Sequence, residues 1–454
     1  MKVLAPVKKN QNYQVKVEDL SYQGMGVAKI DDFPIFVNDV LPGEEAIISV
    51  TKVKKNFAFA RMVKLITKSP DRVESVANVY TQTGIAPLQD LKYPAQLKFK
   101  QHQIESDFEK VHFQVEVAPT VGMTDPTHYR NKAQIPVREV KGQLETGFYR
   151  RHSHELVPIE DFYIQDREID KAIVFVRDLL RKYKIVPYNE IQNSGTIRNV
   201  MVRRGHYSHQ MMIVLITRTS DLPHSDEIIQ DIHEGLPEVK SIVQNINPAK
   251  TNALMGRKSK LLFGKETIED SLLNLKFAIS ANSFYQVNPT QTEKLYSLAI
   301  QKANLTKNDV VIDAYCGIGT ISLAVADKVK KVFGVEIVPE AIEDAKLNAK
   351  LNGIKNVKFK TGKAEEQLAK WQADGLKPDV VFVDPPRKGL DESLINSVVK
   401  MDPKRVVYVS CNPATLVRDV QLFSNLGFHI NQPIQPVDQF PQTVHIESIT
   451  VLQK

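Results

Sequence analysis

Over residues 1–66, apolar and polar positions alternate with a period of two, and Tyr13–Glu18, Ala46–Thr51 and Phe57–Val63 read as short strands. Turn signals at Gly24, Gly26, Pro34 and Pro42-Gly43 separate them, which predicts a small β barrel. From about residue 67 to 125 the pattern becomes mostly helical. Its clearest stretch, Leu91–Ile104, sets apolar residues at helical spacing against a basic face that reads as solvated surface. Residues 128–270 return to strand-like runs such as Met211–Ile216 and Ser241–Ile246, predicting a mixed α/β domain. The last third alternates regularly. Strands at Val310–Asp313, Lys331–Glu336, Val357–Lys360, Val380–Asp384 and Arg405–Ser410 are separated by helical segments, notably Pro339–Asn352 and Asn412–Leu426. Pro339 suits a first helical position, and Gly353 and Gly427 stand just past helix ends. This is the pattern of a doubly wound parallel α/β sheet. The tail Ile446–Val451 predicts a final strand, which if regular carries His445 and Glu447 on one side.

Chemistry concentrates at the ends of those strands. Val310–Asp313 runs into Ala314-Tyr315-Cys316-Gly317-Ile318-Gly319-Thr320 and then a helix, the entry of a nucleotide-type site, although many α/β domains use glycines there only to turn the chain. Glu336 ends the next strand, where a carboxylate can accept both ribose hydroxyls of an adenosine. No Lys-Ser/Thr pair follows the glycines, which argues against a triphosphate. Asp384-Pro385-Pro386-Arg387 fixes an open turn after a buried run, either as a rigid strand exit or to present Asp384 and Arg387 beside the glycine turn. Such turns in amino methyltransferases are usually followed by an aromatic residue, and Arg387 argues against an exocyclic-amine substrate. Cys411 stands between a strand and a helix N-terminus. A lone cysteine is usually structural, but the helix dipole there favours thiolate. Without such help only about 3% of a thiol with a pKa of ~8.5 is ionised at pH 7.

Composition narrows the setting. The chain has 454 residues, 42% hydrophobic and 25% charged, enough for several domains. No long apolar run or charged-then-apolar leader appears, so neither a membrane span nor a signal peptide is expected. Two cysteines, Cys316 and Cys411, exclude a disulfide framework and fit a reducing cytoplasm. A net charge of +7 leans weakly toward a polyanionic partner. Lys52, Lys54, Lys55, Arg61 and Lys64 surround Phe57 and Phe59, which suits RNA backbone contact with base stacking. A solvated hairpin with core phenylalanines fits the same residues. Bases from Arg130 to Arg204 are scattered over the central region, where substrate recognition is expected.

Taken together the motifs identify a family. Asp19–Ala28, Phe36-Val37 and Leu41–Glu44 resemble the TRAM domain, an OB-like RNA-binding module. Asp313–Thr320, Asp384–Leu390, Ser410–Thr415 and His445–Ser448 resemble, in order, the cofactor, fourth-strand, nucleophile and C-terminal motifs of RNA uracil-5-methyltransferases of the RumA/TrmA type. Ser283–Asn288 resembles a further segment whose glutamine contacts cofactor.

The resemblance implies a Rossmann-like class I methyltransferase domain at 271–454, a TRAM barrel at 1–66 and a mixed α/β RNA-recognition domain at 67–270, whose helical part near 89–125 packs with the catalytic domain. It implies S-adenosyl-L-methionine as cofactor, Cys411 as nucleophile and Glu447 as the base for the C5 proton. Gln286, Tyr315, Gly317, Gly319, Thr320, Glu336 and Asp384 are implied as cofactor-binding. Many relatives place cysteines of a 4Fe-4S cluster just before a Leu-Gln-x-Leu segment. Here Thr83-Gly84-Ile85-Ala86 precedes Leu88-Gln89-Asp90-Leu91, and two cysteines in all cannot hold an iron-sulfur cluster, so no metal is expected. That pattern is similar to the cluster-free Gram-positive enzymes of 23S rRNA. The implied partner is an RNA substrate, 23S rRNA first, met by a monomer. The alternatives are a tRNA uracil-5-methyltransferase, a cytosine-5 enzyme and a non-catalytic RNA-binding protein.

Overall fold

The structure is a computed structural model and describes residues 5–74 and 76–454. Asn12–Leu20, Gly26–Ile30, Phe33–Asn38, Glu45–Val53 and Ala58–Thr67 close into a five-stranded barrel. Alternation puts Val15, Val17, Ile35, Val37, Ile48 and Val50 inside it. Two expected turns fall within strands. Gly26 opens the second strand, and Pro34 lies in the third, paired with Lys29. Pro34 is tolerated because the third strand's ladder to Ala58–Thr67 begins only at Ile35, so no neighbour on that side needs its missing N–H.

The stretch 67–125 is less helical than its pattern. Among its described residues only Asn78–Thr83 and Tyr93–Glu109 are helices, and the chain after them forms bridges from Val117 to Ile434 and from Val121 to Val437. Ile104 and Phe108 of the longer helix join the core cluster of Leu416, Val417 and Val420. Just before Leu88, Ile85 and Ala86 are buried beside Tyr80, which stacks on Tyr163.

A seven-stranded sheet occupies the centre, with Met211–Thr217 antiparallel to Ile197–Arg204 and parallel to Val239–Ile246. Met211, Ile213 and Leu215 face a core closed by the helices Arg167–Lys182 and Ser225–Gly235. Met212, Val214 and Ile216 pack instead into the core of the catalytic sheet. Burial on both faces explains the unbroken apolar run.

In the last third the strand order is Val357–Thr361, Lys331–Glu336, Val310–Ala314, Val380–Val383, Arg405–Ser410, Glu447–Gln453 and His429–Ile430. The first five are parallel, and Glu447–Gln453 is antiparallel to Arg405–Ser410. Its register pairs Ser448 with Ser410, so Glu447 comes in beside Cys411 at the carboxyl ends of the parallel strands. Topology thus delivers two residues far apart in sequence to the place where open α/β sheets bind ligands.

Candidate active site

The turn after Val310–Ala314 is shaped by backbone conformation. Tyr315, Gly317 and Gly319 all have positive φ, and the N–H groups of Tyr315 and Cys316 both donate to Val335 O at 3.0 Å. Positive φ is natural for glycine and costly for Tyr315. Glu336 is oriented by two backbone donors, Gly317 N at 3.2 Å and Val338 N at 3.0 Å. Cys316 is buried, and a Cβ at Gly334 would come within 3.0 Å of its Sγ and 2.6 Å of Phe359, so the neighbouring strand must carry glycine there.

A cavity of about 880 Å³ opens over this turn. Gln286, Tyr315, Gly317, Thr320, Glu336, Asp384, Cys411 and Glu447 all line it. Gly319 does not. It caps the helix Thr320–Ala326 at φ +88°, and a Cβ there would press on Phe359 and Ala345, so its place is conformational. A second cavity, about 850 Å³, lies between the barrel loop Asp19–Gln23, the helix Tyr93–Glu109 and Val444–Ile446. Cys411 and Arg387 line both.

The loop of Cys411 is pinned to the Asp-Pro-Pro-Arg turn. Asn412 Nδ2 donates to Arg387 O at 2.8 Å, while Asn412 Oδ1 accepts from Ala414 N and caps the helix Pro413–Asn425. The electrostatics run against the expected thiolate. Burial, and then the carboxylates of Glu447 and Asp384, push the Cys411 thiol up to about 12, against a weaker pull from Arg387. A helix terminus contributes half a charge at most, and two carboxylates in a low-dielectric pocket outweigh it.

Those carboxylates are themselves reluctant to ionise. Burial and the charge of Asp384 push Glu447 well above the usual range. Asp384 touches the open cavity but lies deep in the protein, and that burial, with Asp313 behind it, raises it to about 7. Asp313, which accepts from Ser322 Oγ at 2.6 Å, is raised by burial to about 6. With Glu336 these groups line a cavity whose carboxyls ionise more readily once positive charge enters, an arrangement that favours a cationic ligand.

His445 and Glu447 do not share a side. The strand begins only at Glu447, and the irregular segment before it turns His445 out to the second cavity, 3.3 Å from Arg387 Nη2. Phe57 and Phe59 are not core. They form an aromatic group with Phe36 on the barrel's outer face, beside the exposed Lys52, Lys54 and Lys55. Phe284, Tyr296 and Phe440 also line the cavity and are among the residues to which the sequence assigned no part. Phe284 stands inside a motif that drew attention for its glutamine. Tyr296 is buried in an ordinary amphipathic helix, and Phe440 sits where no periodicity exists.

Comparison with known proteins shows the family. The family described as tRNA (Uracil-5-)-methyltransferase matches residues 92–454, and the TRAM domain matches residues 6–63. The chain is 61% identical to an "uncharacterized RNA methyltransferase" of Lactiplantibacillus plantarum over 100% of both chains. It is 52% identical to one of Enterococcus faecalis over 99% of this chain and 98% of that one. Among solved structures it is similar to the tRNA (uracil-54, C5)-methyltransferase of Pyrococcus abyssi in complex with S-adenosyl-L-homocysteine. The TM-score is 0.77, with 27% identity over 97% of this chain and 99% of that one.

Proposed function

The chain belongs to the tRNA (uracil-5-)-methyltransferase family of S-adenosylmethionine-dependent RNA methyltransferases, and we propose that it methylates C5 of uridines in 23S rRNA through a covalent adduct at Cys411. The observation that carries this reading is the convergence of Cys411, Glu447 and Asp384 in one cavity that continues to Glu336 and the glycine turn. One chain supplies the whole site, consistent with a monomer.

The cavity suits the cofactor. Glu336, already oriented by Gly317 and Val338, would receive the ribose hydroxyls, and Gln286, Tyr315, Gly317, Thr320 and Asp384 would complete the site. The four carboxylates fit a sulfonium, and when bound the cofactor supplies an electrophilic methyl group.

Uracil C5 is a weak nucleophile until C6 is attacked. The Cys411 thiol gives its proton to solvent water, and Sγ bonds to C6. The C5–C6 π electrons then move toward C5 and the 4-carbonyl as an enolate. C5 accepts the methyl group and still carries its hydrogen. Glu447 removes that proton, the C–H pair re-forms the C5–C6 double bond, and Sγ leaves as thiolate. The carboxylates beside Cys411 hold the thiol protonated at rest, so positive charge entering the cavity favours its ionisation. The target base must leave its stack, at a cost of a few kcal/mol, less in a loop. The barrel loop Asp19–Gln23 and Phe36, which line the second cavity, would supply contacts that offset that cost.

The cysteine pattern, similar to that of the cluster-free enzymes of 23S rRNA, supports a 23S rRNA substrate. A tRNA substrate is favoured by one observation, the similarity along the whole chain, barrel included, to the Pyrococcus abyssi tRNA enzyme. Mapping 5-methyluridine in ribosomal and transfer RNA from a deletion strain decides between them. Loss from 23S rRNA alone is expected, and loss from tRNA alone would overturn the assignment.

A further inference from the structure

The helix Tyr93–Glu109 reads in sequence as a helix with a solvated basic face, yet Lys100 on it is fully buried. Its ammonium pairs with the buried Asp438 carboxylate and donates to Phe440 O at 3.0 Å. Tyr93 Oη donates to the second oxygen of Asp438 at 2.9 Å and accepts from Met123 N at 2.8 Å. One turn along, Gln96 and Gln442 are joined twice: Gln96 Nε2 donates to Gln442 Oε1, and Gln442 N donates to Gln96 Oε1, both at 3.0 Å. Three side chains of one helix therefore grip residues 438–442. That run sets Phe440 in the cavity and leads through Val444 and His445 into Glu447.

A buried ion pair is a poor device for stability, since apolar residues of like volume pack as well or better. What it adds is directional definition, and here the defined object is an irregular segment with no sheet hydrogen bonds of its own until Glu447. The same helix presents Phe99 to a cluster with Leu20 and Leu41 of the barrel region and Val444 of the segment. Barrel and segment are thus registered on one rigid element.

We propose that Lys100 is a positioning residue for proton abstraction: through Asp438 and Phe440 O it fixes the 438–446 segment so that the Glu447 carboxylate meets the C5 hydrogen of the adduct. This rests on the reading of Glu447 as the base. Steps before proton removal do not need Glu447 in place. A slackened segment still permits Sγ to add to C6 and C5 to take the methyl group, but the C5 hydrogen then stays, and the S–C6 bond with it.

The test compares Lys100→Met, the milder Tyr93→Phe and Glu447→Gln in the full chain with substrate RNA and S-adenosylmethionine. Turnover, cofactor KM and the denaturation-resistant protein–RNA adduct are measured for each. For Lys100→Met we expect kcat to fall about 100-fold, as for a misplacement near 1 Å. Cofactor KM should change less than twofold, and adduct should build up as in Glu447→Gln. Tyr93→Phe keeps the ion pair and should show the same adduct with a smaller loss of kcat, so it carries the test if Lys100→Met does not fold. A merely structural role for Lys100 lowers turnover without adduct. If Glu447→Gln traps adduct while neither helix variant does, the positioning role is overturned and the base stands. If Glu447→Gln traps none, the base assignment falls and the positioning role with it.

Discussion

A thiol between two carboxylates is a guarded nucleophile, and its guarding is measurable. Alkylation of Cys411 by iodoacetamide in the free protein should keep accelerating past pH 10, since burial and the charges of Glu447 and Asp384 raise the thiol to about 12. Glu447→Gln should move that profile to lower pH, and an unchanged profile would remove the carboxylate from the account. Cys411→Ala should abolish turnover, a loss beyond 1,000-fold, while cofactor affinity measured by calorimetry stays within about twofold. Asp384 carries a linked cost. Its folded pKa, about 7, lies above the unfolded value of 3.8, so stability from its protonated form is full below about pH 4 and lost as pH rises through 7. Asp384→Asn should therefore stabilise the free protein at pH 8, on the order of 1–3 kcal/mol, and not at pH 4. Equal unfolding midpoints for variant and wild type at pH 8 would count against this. Sequence was a good guide to where Cys411 stands, beside the cavity over the glycine turn, and a poor one to its acidity. Chain neighbours tell of a helix terminus, whereas the dominant charges arrive from Asp384 and Glu447 through strand pairing.

At the scale of elements, periodicity located the parallel strands and the barrel because each buries alternate residues against a core. It was blind where hydrogen bonds rather than faces decide. Residues 117–121 run alongside Ile434–Val437, and 438–446 follow the helix Tyr93–Glu109; neither has a period to read. The junction below the barrel is another such place. Buried Glu44 accepts from Leu41 N at 2.8 Å, Ser69 N at 3.2 Å and Arg72 Nη2 at 2.8 Å. Burial alone would raise this carboxyl, but Arg72 and the two N–H groups hold it below the usual range. Its contribution is therefore present above the unfolded carboxyl pKa and is lost as pH falls through the folded one. Glu44→Gln should cost on the order of 2 kcal/mol at pH 7 by taking a carboxylate from Arg72, which keeps Asp90 at 3.5 Å, with a smaller gap in acid. Chemical denaturation at the two pH values checks it, and a pH-independent gap would contradict it.

For the whole molecule, three cores are joined by shared surfaces rather than strung on linkers. The central sheet gives one face to its own helices and the other to the catalytic core, which a reading of separate domains from the chain alone does not reveal. The barrel adds an aromatic group edged with lysines. If Lys52, Lys54 and Lys55 meet phosphates, replacing all three by alanine should reduce the slope of log affinity against log salt by about 2. A fluorescence titration of RNA binding at several salt concentrations measures it, and an unchanged slope would place the RNA elsewhere. The two cavities that meet at Cys411 and Arg387 also bear on kinetic order. Each has its own lining, one from the glycine turn and one from the barrel loop, so occupancy of one leaves the other's approach open. Initial-rate and product-inhibition patterns should then be those of random addition, with spent cofactor free to exchange while RNA is still tethered to the sulfur.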